Sequence, residues 1–295
     1  MKTRLSDIGE LGLIKEISRN TRLSPSVIKG IGDDSAVIKH TKDKYLLYTT
    51  DMLIEDVHFR KGKASAQAIG HKALAVNISD IAACGGLPRW AVISAGVPSN
   101  SSYRFLKDIY KGIKGLADKF NIDIVGGDTN LSKKIIISIS LIGEVEKRFL
   151  VLRQGAEKKD IIVISGAIKD KPDDLTFEPR LKQARMLVKN IKINSMIDIS
   201  DGLLSDLNHV LEASRKGAII YEPLIPHKPV STPLIKALNR GEQFELLFTV
   251  PRREVKKLPQ GFYPIGEITD KKSGIIYVNK RGKREKIEPA GYRHF

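Results

Sequence analysis

Short runs rich in β-branched residues recur along the chain and alternate with stretches of helical periodicity, which restricts the fold to a mixed α/β (α+β) class. The strand-like runs cover 45–50, 90–97, 122–125, 135–142, 161–165, 195–199, 244–250, 263–268 and 274–279. Helical patterns over 64–84, 101–120, 179–190 and 232–239 separate them. A further helix starts at Asp201 and places Leu203, Leu204, Leu207, Val210 and Leu211 on one face. The strand run from 135 passes into a charged stretch, 144–148, and a new start follows at Leu150. The expected division is therefore 1–148 and 149–295, two domains of ordinary size.

Lys and Arg outnumber Asp and Glu by 50 to 34, a formal charge of +16. Such an excess suits either nucleic acid or anionic small molecules. The positive charge is spread along the chain, and its densest run, 280–286, lies near the C-terminus with few aromatic residues about it, which disfavours a nucleic-acid groove. With Cys84 as the single cysteine, neither an internal disulfide nor a cysteine-based zinc site can form. The first 20 residues carry charges throughout, and no run approaches the ~18 apolar residues of a membrane span. The expectation is a soluble cytoplasmic protein with no membrane partner.

The aspartates carry the chemical signal. Gly30-Ile31-Gly32-Asp33-Asp34-Ser35 sets two acids in a glycine-bearing turn. The run 45–50 ends in Thr49-Thr50-Asp51, and 122–125 ends in Gly126-Gly127-Asp128-Thr129. Asp198-Ile199-Ser200-Asp201-Gly202 stands just before a helix. Any one of these is ordinary turn or cap chemistry. Together, gathered at one edge of a sheet, they would hold several Mg²⁺ ions around a polyphosphate, because Mg²⁺ takes carboxylates, waters and phosphate oxygens. Glycines beside the acids let backbone N–H groups approach phosphates. On the apolar stretch 73–84 only Asn77, Ser79 and Asp80 are polar, and a carboxylate buried there needs a partner such as a cation. No G-x-x-x-x-G-K-[ST] loop, protein-kinase H-R-D or D-F-G, or zincin H-E-x-x-H is present.

In order, Gly30-Ile31-Gly32-Asp33-Asp34, Thr50-Asp51 with His58-Phe59, the run from Lys72 to Asp80, Gly126-Gly127-Asp128-Thr129, Asp198-Ile199-Ser200-Asp201-Gly202-Leu203 and the ending Gly291-Tyr292-Arg293-His294-Phe295 resemble the thiamine-monophosphate kinase family, of the superfamily that includes aminoimidazole ribonucleotide synthetase. The resemblance covers nearly the whole chain. It implies a two-domain aminoimidazole ribonucleotide synthetase-like architecture that dimerises through its N-terminal sheet. It also implies ATP in the cleft between domains, Mg²⁺ as cofactor, and thiamine monophosphate as the acceptor of a direct in-line phosphoryl transfer. Carried over by position, Asp34, Thr49, Thr50, Asp51, Asp80, Asp128, Asp198 and Asp201 would hold magnesium. Tyr110, Gly127, Asp128, Arg153 and Ser200 would contact ATP, and His58, Glu242 and Tyr292 the substrate. Asp128, Asp198 and Arg153 would be the residues on which turnover depends.

Where the family often shows Gly-Gly-Glu-Asp-Tyr-Glu-Leu, this chain has Arg240-Gly241-Glu242-Gln243-Phe244-Glu245-Leu246, and the stretch 170–180 is short. The alternatives are another ATP-using member of the superfamily, above all an aminoimidazole ribonucleotide synthetase-like enzyme, and a basic nucleic-acid-binding protein. The absence of a reactive cysteine in the N-terminal glycine-rich segment argues against a selenophosphate synthetase, and the Phe295 ending against a hydrogenase-maturation protein.

Overall fold

A computed structural model describes residues 4–228 and 231–289. Helix α1 (Leu5–Asn20), kinked at Gly9, precedes β1 (Val27–Lys29), β2 (Ala36–Lys39) and β3 (Lys44–Ile54). Then come α2 (Ala66–Ala83), β4 (Leu87–Val97), α3 (Tyr103–Phe120), β5 (Asp123–Leu131) and β6 (Ile136–Glu146). These strands form one sheet in the order β1-β2-β3-β6-β4-β5. A second sheet joins β7 (Ile161–Ile164), β9 (Ser195–Asp198), β10 (Lys216–Tyr221) and β12 (Leu246–Val250) to β13 (Tyr263–Asp270), β14 (Ile275–Val278) and β15 (Arg284–Ile287). Helices α4 (Leu181–Asn190) and α5 (Leu203–Ser214) accompany it, and α6 (Leu234–Leu238) is short. The two-residue strands β8 (Ile168–Lys169) and β11 (His227–Lys228) pair with each other.

Strand β3 shows how the sequence selects its faces. Leu47, Thr49 and Leu53 point inward and are buried, while Tyr48, Thr50 and Met52 between them are exposed, the period-two alternation of a sheet covered on one side. The covering helices are α2 and α3, and α2 is the unusual one. It is buried nearly all round, because it lies on the first sheet and also touches β9 and α4 of the second half. One apolar cluster runs from Leu47 and Ile139 through Ile78 to Leu187 and Phe248, and a second, with Ile162, Leu207 and Ile220, fills the opposite side of the second sheet.

α2 and α3 cross at glycines. A Cβ on Gly70 would meet the Ile109 carbonyl at 1.9 Å, and one on Gly112 the Gln67 carbonyl at 2.0 Å. Gly112→Val is therefore expected to destabilise the fold by about 2–3 kcal/mol, read as an earlier denaturant midpoint.

Two sequence expectations change here. The acids do not all stand at strand ends: β3 continues past Asp51 to Ile54, and β5 runs through Asp128 to Leu131. Nor are they at one edge of a sheet, since β3 and β5 have β6 and β4 between them. The elements α1, β1, β2, β8, β10, β11 and β15 add to those expected from the sequence. No helix among the described residues is long and apolar enough to cross a membrane.

Candidate active site

The turn between β1 and β2 buries Asp34, α2 carries Asp80, and the end of β9 carries Asp198. One carboxylate oxygen from each lies within 4.8 Å of the others. Thr49 Oγ1 on β3 donates to Asp80 Oδ2 at 2.5 Å, and Ser79 Oγ donates to Asp198 Oδ2 at 2.5 Å. Asp51, two residues along β3 from Thr49 and so on the same face, joins them: it shares a hydrogen bond with Asp80, its charge acts on Asp80, and the charges of Asp201 and Asp34 act on it. Arg153 closes the group. Its Nη2 and Nε donate to Asp34 Oδ1 at 2.7 and 3.2 Å, and its backbone N–H donates to Asp33 Oδ1 at 3.2 Å.

So many buried acids cannot all stay ionised without a cation. Burial first, and Asp34 next, push Asp198 up to about 8. Burial, followed by Asp51, Asp198 and Asp34, holds Asp80 well above the usual carboxylate range. Burial pushes Asp51 up to about 6, with Asp201 and Asp34 adding to it against a hydrogen bond from Asp80. Burial opposes the Arg153 charge, but Asp34 and Asp33 more than offset it, so the guanidinium stays charged.

Asp34 Oδ2 and Asp51 Oδ2 are buried without a hydrogen-bond partner. Orphaned carboxylate oxygens beside other acids are the donor set a hard divalent cation takes, all oxygen and excess negative charge. The residues present therefore fit Mg²⁺.

Raised pKa values mean that the folded chain holds more protons than the unfolded one, so metal-free stability falls as pH rises from about 4 toward 8. Mg²⁺ must displace those protons. The increase in melting temperature on adding Mg²⁺ is accordingly expected to be larger at pH 8 than at pH 6, and a thermal-shift titration at the two pH values checks it.

A cavity of about 510 Å³ opens from the acid cluster. Lys72, Val76 and Asp80 line it at successive i, i+4 positions of α2, so it follows the helix for about 12 Å. Asp51, Asp198 and Asp201 of the acid group line it too, as does Ser200, whose carbonyl accepts from the Glu242 N–H at 2.7 Å. Met52, Leu53, Val57 and Phe244 give it apolar walls, and His58 and Glu242 also line it. His58 Nδ1 accepts from the Ile54 N–H at 3.0 Å, which leaves its Nε2 to carry the proton.

The departures from the family pattern acquire physical roles. Gln243 is buried, its Oε1 accepting from the Lys169 N–H at 2.9 Å and its Nε2 donating to the Lys169 carbonyl at 2.9 Å. An amide does this double task, whereas a carboxylate could not donate. Phe244 stacks on Phe177 with ring centroids 3.9 Å apart, and a phenyl ring needs no hydroxyl partner in that position.

Not every expected residue joins this cluster. Thr50 points to the opposite, exposed face of β3, where its Oγ1 accepts from Ser140 Oγ at 3.1 Å. Gly127, Asp128 and Tyr110 line a different cavity of about 480 Å³, with Ile93, Ile109 and Ile137. Asp128 Oδ2 accepts from Asn130 Nδ2 at 2.5 Å. Three strand spacings separate β5 from β3, about 14 Å. Tyr292 and the rest of 291–295 lie outside the described residues. Ser79 and Lys72 are additions: both stood in the recognised 72–80 run, but their carboxylate partners are over 100 residues away and invisible to local pattern.

The AIR synthase related protein N-terminal domain family matches residues 32–145, and the corresponding C-terminal domain family matches 139–279. The thiamine-monophosphate kinase of Bacillus subtilis (strain 168) is 34% identical, the alignment covering 97% of this chain and 99% of that protein. That of Aquifex aeolicus (strain VF5) is 34% identical over 99% and 100%. A solved structure, AaThiL complexed with AMPPCP and TMP, superposes with a TM-score of 0.86 at 33% identity, covering all of both chains. The buried acid cluster thus sits in a fold shared end to end with these enzymes, and the chain belongs to the thiamine-monophosphate kinase family.

Proposed function

We propose that this chain transfers the γ-phosphoryl group of ATP to thiamine monophosphate, giving thiamine diphosphate and ADP. The observation that carries the proposal is the lining of the 510 Å³ cavity: along α2 it passes from the cation-demanding acid cluster at Asp80 by Val76 to Lys72, whose ammonium holds the Glu242 carboxylate, and Met52, Leu53, Val57 and Phe244 supply apolar walls. A phosphorylated, cationic, ring-bearing acceptor matches that sequence of surfaces over about 12 Å. Its phosphate lies toward Asp198, its flat rings pass Phe244, and its positive ring faces Glu242.

Asp34, Asp51, Asp80, Asp198, Asp201 and Thr49 would hold Mg²⁺. Bound there, Mg²⁺ supplies charge neutralisation between the two anionic reactants. The chain's own contribution is placement. A phosphate monoester is largely ionised near pH 7, so its oxygen attacks the γ-phosphorus without a strong base. The new O–P bond forms as the bond from the γ-phosphorus to the β–γ bridging oxygen breaks, and ADP leaves with that electron pair. Arg153, held by Asp34 and Asp33, presents its guanidinium to the phosphates, and Ser200 stands beside them.

We further propose that two copies pair through the open face of the first sheet, where Tyr48, Met52 and Val92 are exposed, and that the chain divides into two domains near residue 148. Asp128, Gly127 and Tyr110 would then serve the acid cluster of the partner copy rather than their own. The reaction belongs in the cytoplasm, where ATP is at hand. Incubation with γ-labelled ATP tests direct transfer: label in the terminal phosphate of thiamine diphosphate is expected, and label only in free phosphate would contradict it.

A further inference from the structure

Lys72 takes no part in the phosphoryl transfer described above. It is 1% exposed on α2, where an unpaired ammonium would be costly. Its Nζ donates to Asp174 Oδ2 at 2.5 Å, to Glu242 Oε1 at 2.5 Å and to the His58 carbonyl at 3.2 Å. These acceptors come from three segments: the turn after β3, the stretch between β8 and α4, and the loop before β12. All three residues line the cavity.

The loop before β12 is under constraint. Glu242 has φ +62, a conformation that costs a non-glycine residue about 1 kcal/mol or more. Its N–H donates to the Ser200 carbonyl at 2.7 Å, and a Cβ on neighbouring Gly241 would meet that same carbonyl at 2.5 Å. The backbone is thus pressed against the β9–α5 turn, and Lys72 fixes where the Glu242 carboxylate goes.

We propose that Lys72 is a positioning residue of the acceptor site, whose buried ammonium draws three cavity walls together and holds the Glu242 carboxylate toward the acceptor's cationic ring. This rests on the acceptor assigned above. Lys72 stands two helical turns from Asp80, about 12 Å, so it acts on the ring-bearing part of the acceptor and stands clear of the acid cluster where the phosphates meet. The exposed cations Lys171 and Arg240 lie on the same cavity lining, and neither is buried against Glu242 as Lys72 is.

Steady-state kinetics and crystal structures of Lys72→Met, Lys72→Arg and Asp174→Asn test the proposal. In Lys72→Met the KM for thiamine monophosphate is expected to rise about tenfold or more, with the KM for ATP within about twofold and kcat within about threefold. Lys72→Arg recovers part of the loss, and Asp174→Asn, which cuts one of the three ties, shows the same split on a smaller scale. The Lys72→Met crystal structure is expected to show Glu242 turned out of the cavity. An unchanged acceptor KM, or an ATP KM that rises in parallel, overturns the proposal; should Lys72→Met fail to fold, Asp174→Asn decides by the same criterion. Wild-type protein with no turnover on thiamine monophosphate would instead sink the acceptor assignment. In that event the crystal structures alone decide, and a Glu242 carboxylate unmoved in the variants overturns the positioning role.

Discussion

Asp198→Asn is expected to cut turnover about a thousandfold while raising the thermal stability of the metal-free protein. The two effects have one cause. Asp198 is 2% exposed, accepts a hydrogen bond from Ser79 and faces Asp34 and Asp80 across less than 4.8 Å. With its pKa pushed to about 8, it costs the apo fold free energy that grows as pH rises from about 4 to about 8. Asparagine accepts the Ser79 hydrogen bond, removes the charge and removes a cation ligand. A melting-temperature gain of roughly 5 °C at pH 8, shrinking toward pH 4, is the expected signature. The same substitution should abolish most of the Mg²⁺-induced shift. A variant with near-normal turnover, or one destabilised at every pH, would show that Asp198 is a structural carboxylate and not part of a cation site.

The second large effect is a recovery. Asp198→Asn and Asp128→Asn chains should each be nearly inactive alone, yet an equal mixture, unfolded and reassembled together, should return about a quarter of wild-type activity. The reasoning is geometric. Asp128 lies on β5, three strand spacings from Asp51, and lines a separate cavity, so one chain does not bring Asp128 to its own Asp198. If a partner supplies it, each mixed dimer has one doubly impaired site and one intact site. Random pairing makes half the dimers mixed. No recovery in a verified mixed dimer would mean that Asp128 acts within its own chain or not at all.

The sequence made some of this legible and left the rest hidden for identifiable reasons. The 73–84 stretch was apolar enough to signal a fully buried helix, and its lone acid, Asp80, does face the cluster. β3 runs four residues past the expected end at Thr50, because the carboxylate of Asp51 interrupts its β-branched and apolar content, although one face of the strand continues through Leu53. Strand β10 opens on Lys216-Gly217, which gives no local strand signal, and it forms because β13 and β14 flank it. Helix α1 has aliphatic residues enough, but they do not gather on one face and the helix is kinked at Gly9, so helical periodicity gave a weak signal. Lys72 was visible as part of a motif, but its partners Asp174 and Glu242 lie 102 and 170 residues on, a distance that only the tertiary fold resolves.

The most direct measurement is ADP release from ATP and Mg²⁺, run side by side with thiamine monophosphate, with the purine-pathway aminoimidazole precursor and with no acceptor. Release that depends on thiamine monophosphate, with thiamine diphosphate as product, is the predicted result. Turnover with the purine precursor and none with thiamine monophosphate would contradict the account and move this acid cluster to a different acceptor.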